Sequence, residues 1–235
     1  MEKVFNQAQG FDFKSDEGRY LICIAAYFVS LSGLKSLTHN GVEADGADTT
    51  GRTPLSYIAE GLNLRDPHGL RNLNDTYKGL LESSSRRSER TSFERALECA
   101  QLLIDNGAQV DLSDKHGRTA LSYASLSPEY TSWCLQHKAS VSSQDLIGRT
   151  PLSYASQIDS GNGSVVGMLL RHGADPNSRD VAGRTPLWFA VHPGSSGNVS
   201  RLRHACKDSS LVISKDIFWE ECHHYVSRKW LDRWY

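Results

Sequence analysis

Apolar residues in this chain come in short bursts separated by polar, turn-rich stretches. Leu55, Tyr57, Ile58 and Ala59 open one burst, and Leu103 with Ile104 and Leu169 with Leu170 mark a second kind. Neither kind is long enough for a helix that buries its own face, so the pattern predicts short helices that must pack on neighbours. Between the bursts lie DNGAQVDLSDKHGRT, QHKASVSSQDLIGRT and RHGADPNSRDVAGRT. Each reads as a helix end, a projecting hairpin and the start of the next helix.

The bursts repeat. Gly51 begins GRTPLSYIA, Gly117 begins GRTALSYAS, Gly148 begins GRTPLSYAS and Gly183 begins GRTPLWFAV, at intervals of 66, 31 and 35 residues. Gly41, Gly107 and Gly173 lie ten residues before three of these glycines, and Lys138 holds the corresponding place before Gly148. Glycine closes a helix at low cost because it enters the left-handed region without a Cβ clash, so Lys138 is expected to strain or reshape its turn. Thr53, Thr119, Thr150 and Thr185 have the hydroxyl of a helix N-cap, and proline follows all but Thr119, at a position where its missing N–H costs nothing. A spacing near 33 residues, doubled once, with helix-turn-helix units between GA and GRTPL phrases, resembles the ankyrin-repeat family. The GRTPLSYA wording is similar to arrays of filamentous-fungal proteins. The resemblance implies an all-α solenoid of about five repeats with β-hairpin-like tips, covering residues 18–213.

Stepping back 33 residues from Gly51 reaches Gly18, where GRYLICIAA overlays GRTPLSYIA and marks the first repeat, with residues 1–17 as an N-terminal extension. The doubled interval places an insertion at 62–92. Its polar end ESSSRRSERTS has little to bury, so it is expected to be an exposed loop between the two helices of the second unit, with room for a short helix around Thr76 to Leu81. Residues 214–235 are expected to form an amphipathic closing helix. Phe218, Trp219, Cys222, Tyr225, Val226 and Trp230 share one face, and Glu221, Arg228 and Asp232 lie opposite. That face reads as a hydrophobic cap on the last repeat or as an aromatic patch for a partner.

Composition narrows the function. The net charge of -1, from 26 basic and 27 acidic residues, gives no broad attraction to nucleic acid or to an acidic membrane surface. No apolar segment reaches membrane-spanning length, and the polar N-terminus lacks the core of a signal peptide, so an intracellular protein, cytoplasmic or nuclear, is expected. Five scattered cysteines fit reduced thiols. The sequons at Asn74, Asn162 and Asn198 are then expected to stay unmodified.

Each tip carries Asp three residues before the repeat glycine and Arg one after it, giving Asp48/Arg52, Asp114/Arg118, Asp145/Arg149 and Asp180/Arg184. The aspartates read as structural. The arginines read as surface groups, either solvated or in contact with a partner. Residues that differ between tips are better placed for specificity, namely Lys115 and His116, Leu146 and Ile147, and Val181; the apolar ones either pack on adjacent tips or face a partner. With the resemblance, these positions imply a protein-protein interaction module or scaffold. A small-molecule enzyme is the alternative, with His223 or His224 paired to Asp216, Glu220 or Glu221 beside Trp219 and Trp230. Two motifs point to ordinary structure instead. GNGSVVG lacks the spacing and the preceding strand of a dinucleotide loop. His204, Cys206, Cys222, His223 and His224 do not follow a familiar zinc spacing. No cofactor or metal is expected.

Overall fold

A computed structural model describes residues 15–62, 89–158, 164–192 and 195–206. Among them are ten α-helices and no strand, so the chain is all-α as expected. The helices fall into two compact units that divide between Lys115 and His116.

The first unit holds α1 (Asp16–Tyr27), α2 (Leu31–His39), α3 (Pro54–Gly61) and α4 (Glu89–Asp105). α1 packs on α2 and α3, and α4 packs on both α2 and α3, so two helix pairs share one apolar layer. Ile22, Leu34, Leu37, Leu55, Ile58 and Leu103 are fully buried there, each contributing about 2 kcal/mol by leaving water. Two boundaries differ from the sequence expectation. α1 begins at Asp16, so Gly18 lies inside a helix; with Tyr20 and Leu21 in place of Thr-Pro, nothing breaks the helix there, and Asp16 and Glu17 suit a positive first turn. α4 begins at Glu89, within the stretch assigned to the insertion. The expected helix at Thr76 to Leu81 and the closing helix at 214–235 lie outside the described residues.

The second unit holds α5 (Ala120–Tyr123) with a 3-10 turn at Ala124–Leu126, α6 (Pro128–Gln136), α7 (Pro151–Ser156), α8 (Ser164–Arg171), α9 (Pro186–Val191) and α10 (Ser196–Ala205). The first helices of the three pairs stack in the order α5, α7, α9, and the second helices in the order α6, α8, α10. Leu121, Tyr130, Leu152, Val166, Leu169 and Leu202 fill the layer between the two rows. Asn198, buried on α10, donates to Ile158 O at 2.8 Å and so holds the end of α7 from the next pair. The sequon at this asparagine is therefore closed to any modifying enzyme.

Helix starts and stops follow the residues proposed for them. Thr53, Thr150 and Thr185 accept the amides of Ser56, Ser153 and Trp188, while at Thr119 the amide donates to Ser122 Oγ. At the far ends, the amides of Val42, Ala108, Ala139 and Ala174 reach back to Leu37, Leu103, Cys134 and Leu169, a closure that needs a left-handed residue just before. Lys138 supplies it at φ 63, which a residue with a Cβ adopts at a cost. Side chains of Asn40, Asn106, His137 and His172 also bond the carbonyl four residues earlier, which places the imidazole proton on Nδ1.

The repeat glycines are needed for two reasons. Gly148 has φ 79, and a Cβ on it would stand 3.1 Å from Asp180 Cα in the next tip. Gly148→Ala is expected to destabilise the protein by about 1–3 kcal/mol. Gly173→Ala carries the φ penalty alone, since nothing lies within 4 Å of its Cβ position, and should cost about 1 kcal/mol. Lys138→Gly should gain about as much. Thermal unfolding of the three variants checks this order.

Candidate functional site

The tips are built around one carboxylate each. Asp48 Oδ1 accepts the amides of Thr50 at 2.8 Å and Arg52 at 2.9 Å, and Asp145 Oδ1 accepts those of Ile147 at 3.0 Å and Arg149 at 2.8 Å. Asp180 Oδ1 does the same for Ala182 and Arg184, both at 2.9 Å. The second oxygen turns to the following helix. Tyr57 donates to Asp48 Oδ2 at 2.6 Å and Tyr154 to Asp145 Oδ2 at 2.5 Å. The last unit has Phe189 in that place, and there Arg184 fills the role, with Nε and Nη2 each 2.7 Å from Asp180 Oδ2. The structural reading of these three aspartates holds.

These bonds shift the ionisation of both partners. Burial alone would raise the Asp48 carboxyl, but the hydroxyls of Tyr57 and Thr50 and the amides of Arg52 and Thr50 hold it below the usual carboxylate range. Burial, then the bond to Asp145, pushes the Tyr154 phenol up to about 12; the same causes raise Tyr57 beside Asp48.

The arginines, read from sequence as surface groups either solvated or in contact with a partner, pack on aromatic rings. Arg52 lies over the Tyr57 ring at 4.3 Å and pairs with Glu60. Arg118 lies over Tyr123 at 4.8 Å. Arg149 lies over Phe189 at 4.9 Å, with Nε 4.0 Å from Asp180 Oδ2, and Arg184 lies over Trp188 at 5.0 Å. The side chains of Arg52, Arg149 and Arg184 keep only 13, 23 and 22% of their surface in water. A guanidinium lies flat on an aromatic face because it is planar and weakly hydrated, and the ring's negative face attracts it. Tyr57, Tyr123, Tyr154 and Phe189 are the residues that sequence reasoning missed. The signal was present, since each stands five residues after the repeat arginine and nine after the tip aspartate.

What the tips present to water is the variable pair. Lys115 and His116 are exposed, and Leu146, Ile147 and Val181 keep 72, 41 and 76% of their surface in water. Packing on adjacent tips does not cover them. In the first unit the tips are joined by Lys115 N to Thr50 O at 2.9 Å. In the second unit, Leu146 N donates to His116 O at 2.8 Å and Val181 N to Ile147 O at 2.9 Å, so His116, Leu146, Ile147 and Val181 stand along one edge.

The other candidates are not brought together. His223, His224, Asp216, Glu220, Glu221 and Cys222 lie outside the described residues, as do the first three residues of GNGSVVG, whose remainder opens α8. His204 is exposed and Cys206 buried, and no group of three or more potential metal ligands occurs among the described residues. Cys23, Cys99, Cys134 and Cys206 are buried thiols outside any disulfide. No described helix is long and apolar enough to cross a membrane.

Residues 91–180, which include the tips at Asp114, Asp145 and Asp180, match a family model described as ankyrin repeats in three copies. Residues 91–180 are ankyrin repeats. No curated protein matches the chain. Ankyrin repeats are in general modules for protein-protein interaction. In this ankyrin array the conserved-looking part of each tip, Asp and Arg, faces inward, and the variable part faces out.

Tyr154→Phe should cost about 1–3 kcal/mol by leaving Asp145 Oδ2 without its donor. The phenol's ionisation is harder folded, near 12, than unfolded, near 10.0. Its stabilisation is therefore complete below pH 10 and lost as pH rises toward 12. Denaturant unfolding of the parent protein should weaken across that window, with a smaller alkaline loss in Tyr154→Phe. Arg149→Ala should lower stability by about 1–2 kcal/mol, where a free surface arginine would give almost no change.

Proposed function

We propose that the chain is a protein-interaction module that recognises its partner along the tip edge of the second unit. The observation that carries this reading is the exposure of Leu146 and Val181, at 72 and 76%, on adjacent tips whose backbones are tied together. An exposed apolar residue is ordinary when alone; a short row of them on a fixed frame is the composition of a binding surface. The side chains stand on turns already ordered by Asp145 and Asp180, so docking pays little for fixing the backbone.

His116 extends the row from the preceding tip in sequence, and Lys115 stands on a tip of the first unit. Arg149 and Arg184 hold the frame from behind and offer the rest of their guanidinium surface beside it, as Arg118 does next to His116. Arg52 would play the same part in the first unit. These arginines can then contribute to binding, but through a position that folding has already set.

Leu146→Ser and Val181→Ser remove apolar surface that folding does not bury, so each should change stability by less than about 0.5 kcal/mol. The double variant should nevertheless fail to retain a protein that the parent chain captures from cell extract. Capture at the parent level by a folded double variant would move the recognition surface away from this edge.

A further inference from the structure

The last helix pair is built unlike the pairs before it. Leu187 on α9 holds the place of Leu55, Leu121 and Leu152, and Val199, three residues before the buried leucine of α10, holds the place of Val166 on α8. Those earlier residues are almost wholly buried, whereas Leu187 and Val199 are only half-buried. Trp188 stands where Ser56, Ser122 and Ser153 stand. The three serines are buried; Trp188 is half-open, with its ring stacked on that of the exposed His192 at 5.2 Å. The ladder of tips ends at the same level. Thr50 O, His116 O and Ile147 O each accept the amide of the following tip, and Ala182 O, next in the series, accepts none among the described residues. The stack therefore closes on an apolar face that the described residues leave half uncovered.

A further unit of the same kind does not fit this face. Stacking one would enclose the Trp188 indole in a space that holds a serine side chain in the earlier pairs, and overpacking of that size is destabilising. An element of another shape is required, and the chain carries one directly after Cys206. Residues 207–235, which lie outside the described residues, contain no glycine and so lack the tip of the earlier units. They hold three of the five tryptophans, and Phe218, Trp219, Tyr225 and Trp230 fall on one face at helical spacing. The twelve residues from Cys206 to Phe218 can span up to about 40 Å, and a packed neighbour of α9 or α10 would sit about 8–10 Å away, so the tether reaches. Tied to α10, this segment meets the face at an effective concentration that a free partner does not match.

We propose that residues 207–235 cover the end of the stack, with Phe218 and Trp219 laid against Leu187, Trp188 and Val199. Each half-open side chain of the last pair then meets a large apolar one, and two surfaces prone to aggregation leave the water together. The aromatic face of the segment is accordingly used within the chain. The tip edge keeps its separate role, and neither assignment depends on the other.

The test uses the full chain. In Phe218→Ser, Trp219→Ser, amide hydrogen exchange in α9 and α10 is expected to quicken at least about tenfold, with much smaller changes in α5 and α6. Melting should fall by several degrees. Unchanged exchange and melting would overturn the docking. A second measurement holds even where that variant does not fold: a photocrosslinking phenylalanine analogue replaces Trp219 alone, and the linked peptides are mapped by mass. Links from position 219 to α9 or α10 of the same chain are the expected result. Links between two chains would replace the segment by a second copy, and links to a protein added from cell extract would make the aromatic face a partner site. Links confined to other helices, or none at all, would leave the end face without this occupant, and each of these outcomes overturns the proposal.

Discussion

A single carboxylate oxygen, accepting two backbone amides in the same tip, is the constraint from which the rest follows. The turn after each helix pair has amides that no helix or strand supplies with acceptors, and leaving them unpaired would cost on the order of 1–3 kcal/mol each. Asp48, Asp145 and Asp180 remove that cost from within the tip. Once the turn is set, its glycine can enter the left-handed region and let the next tip approach to bonding distance. The tip-to-tip bonds at Lys115, Leu146 and Val181 are the result. Where Phe189 removes the phenol that serves Asp48 and Asp145, Arg184 takes over the second oxygen. The requirement is therefore for a donor at that place, and the residue that supplies it is free to change.

This construction separates what holds a tip from what a tip displays. Asp, Gly and Arg are used inwardly, on amides, backbone contact and aromatic rings. The side chains between Asp and Gly lie mostly toward water, although Thr50 adds its hydroxyl to the Asp48 turn, and they read Thr-Thr, Lys-His, Leu-Ile and Val-Ala in successive tips. An apolar side chain there costs nothing in the folded frame and is ordered before any partner arrives. Binding energy that a flexible loop would lose to ordering is retained.

Much of the fold was legible because helix starts and stops have local chemical requirements. Thr-Pro before an apolar run and Gly after one place the helix boundaries, and even the exception at Lys138 could be foreseen as a strained turn. The first helix was less legible. GRYLICIAA kept the glycine but lost Thr-Pro, so alignment by glycine placed the start of α1 too late. The packing of the arginines was not legible for a different reason. Their positions in sequence suggest exposure, but a guanidinium's fate is decided by a ring five residues further on and, for Arg149, by Phe189 of the next pair. A contact between pairs has no fixed spacing to betray it. The tip pairs show the opposite case: their apolar character was visible, and only the stacked geometry shows that the neighbouring tips leave it uncovered.

Charge makes the same distinction between total and placement. A net charge of -1 argues correctly that the whole molecule has little long-range pull on a polyanion. It says nothing about contact distance, where the field is set by the nearest few groups and screening leaves a reach of about 10 Å at ordinary salt. Within the tips the charges answer one another: Arg184 pairs with the buried Asp180, and Arg149 lies on the Phe189 ring with Nε 4.0 Å from the same oxygen. A tip's contribution to recognition is therefore decided by which of its side chains reach water, and Leu146 and Val181 do so where Asp180 does not.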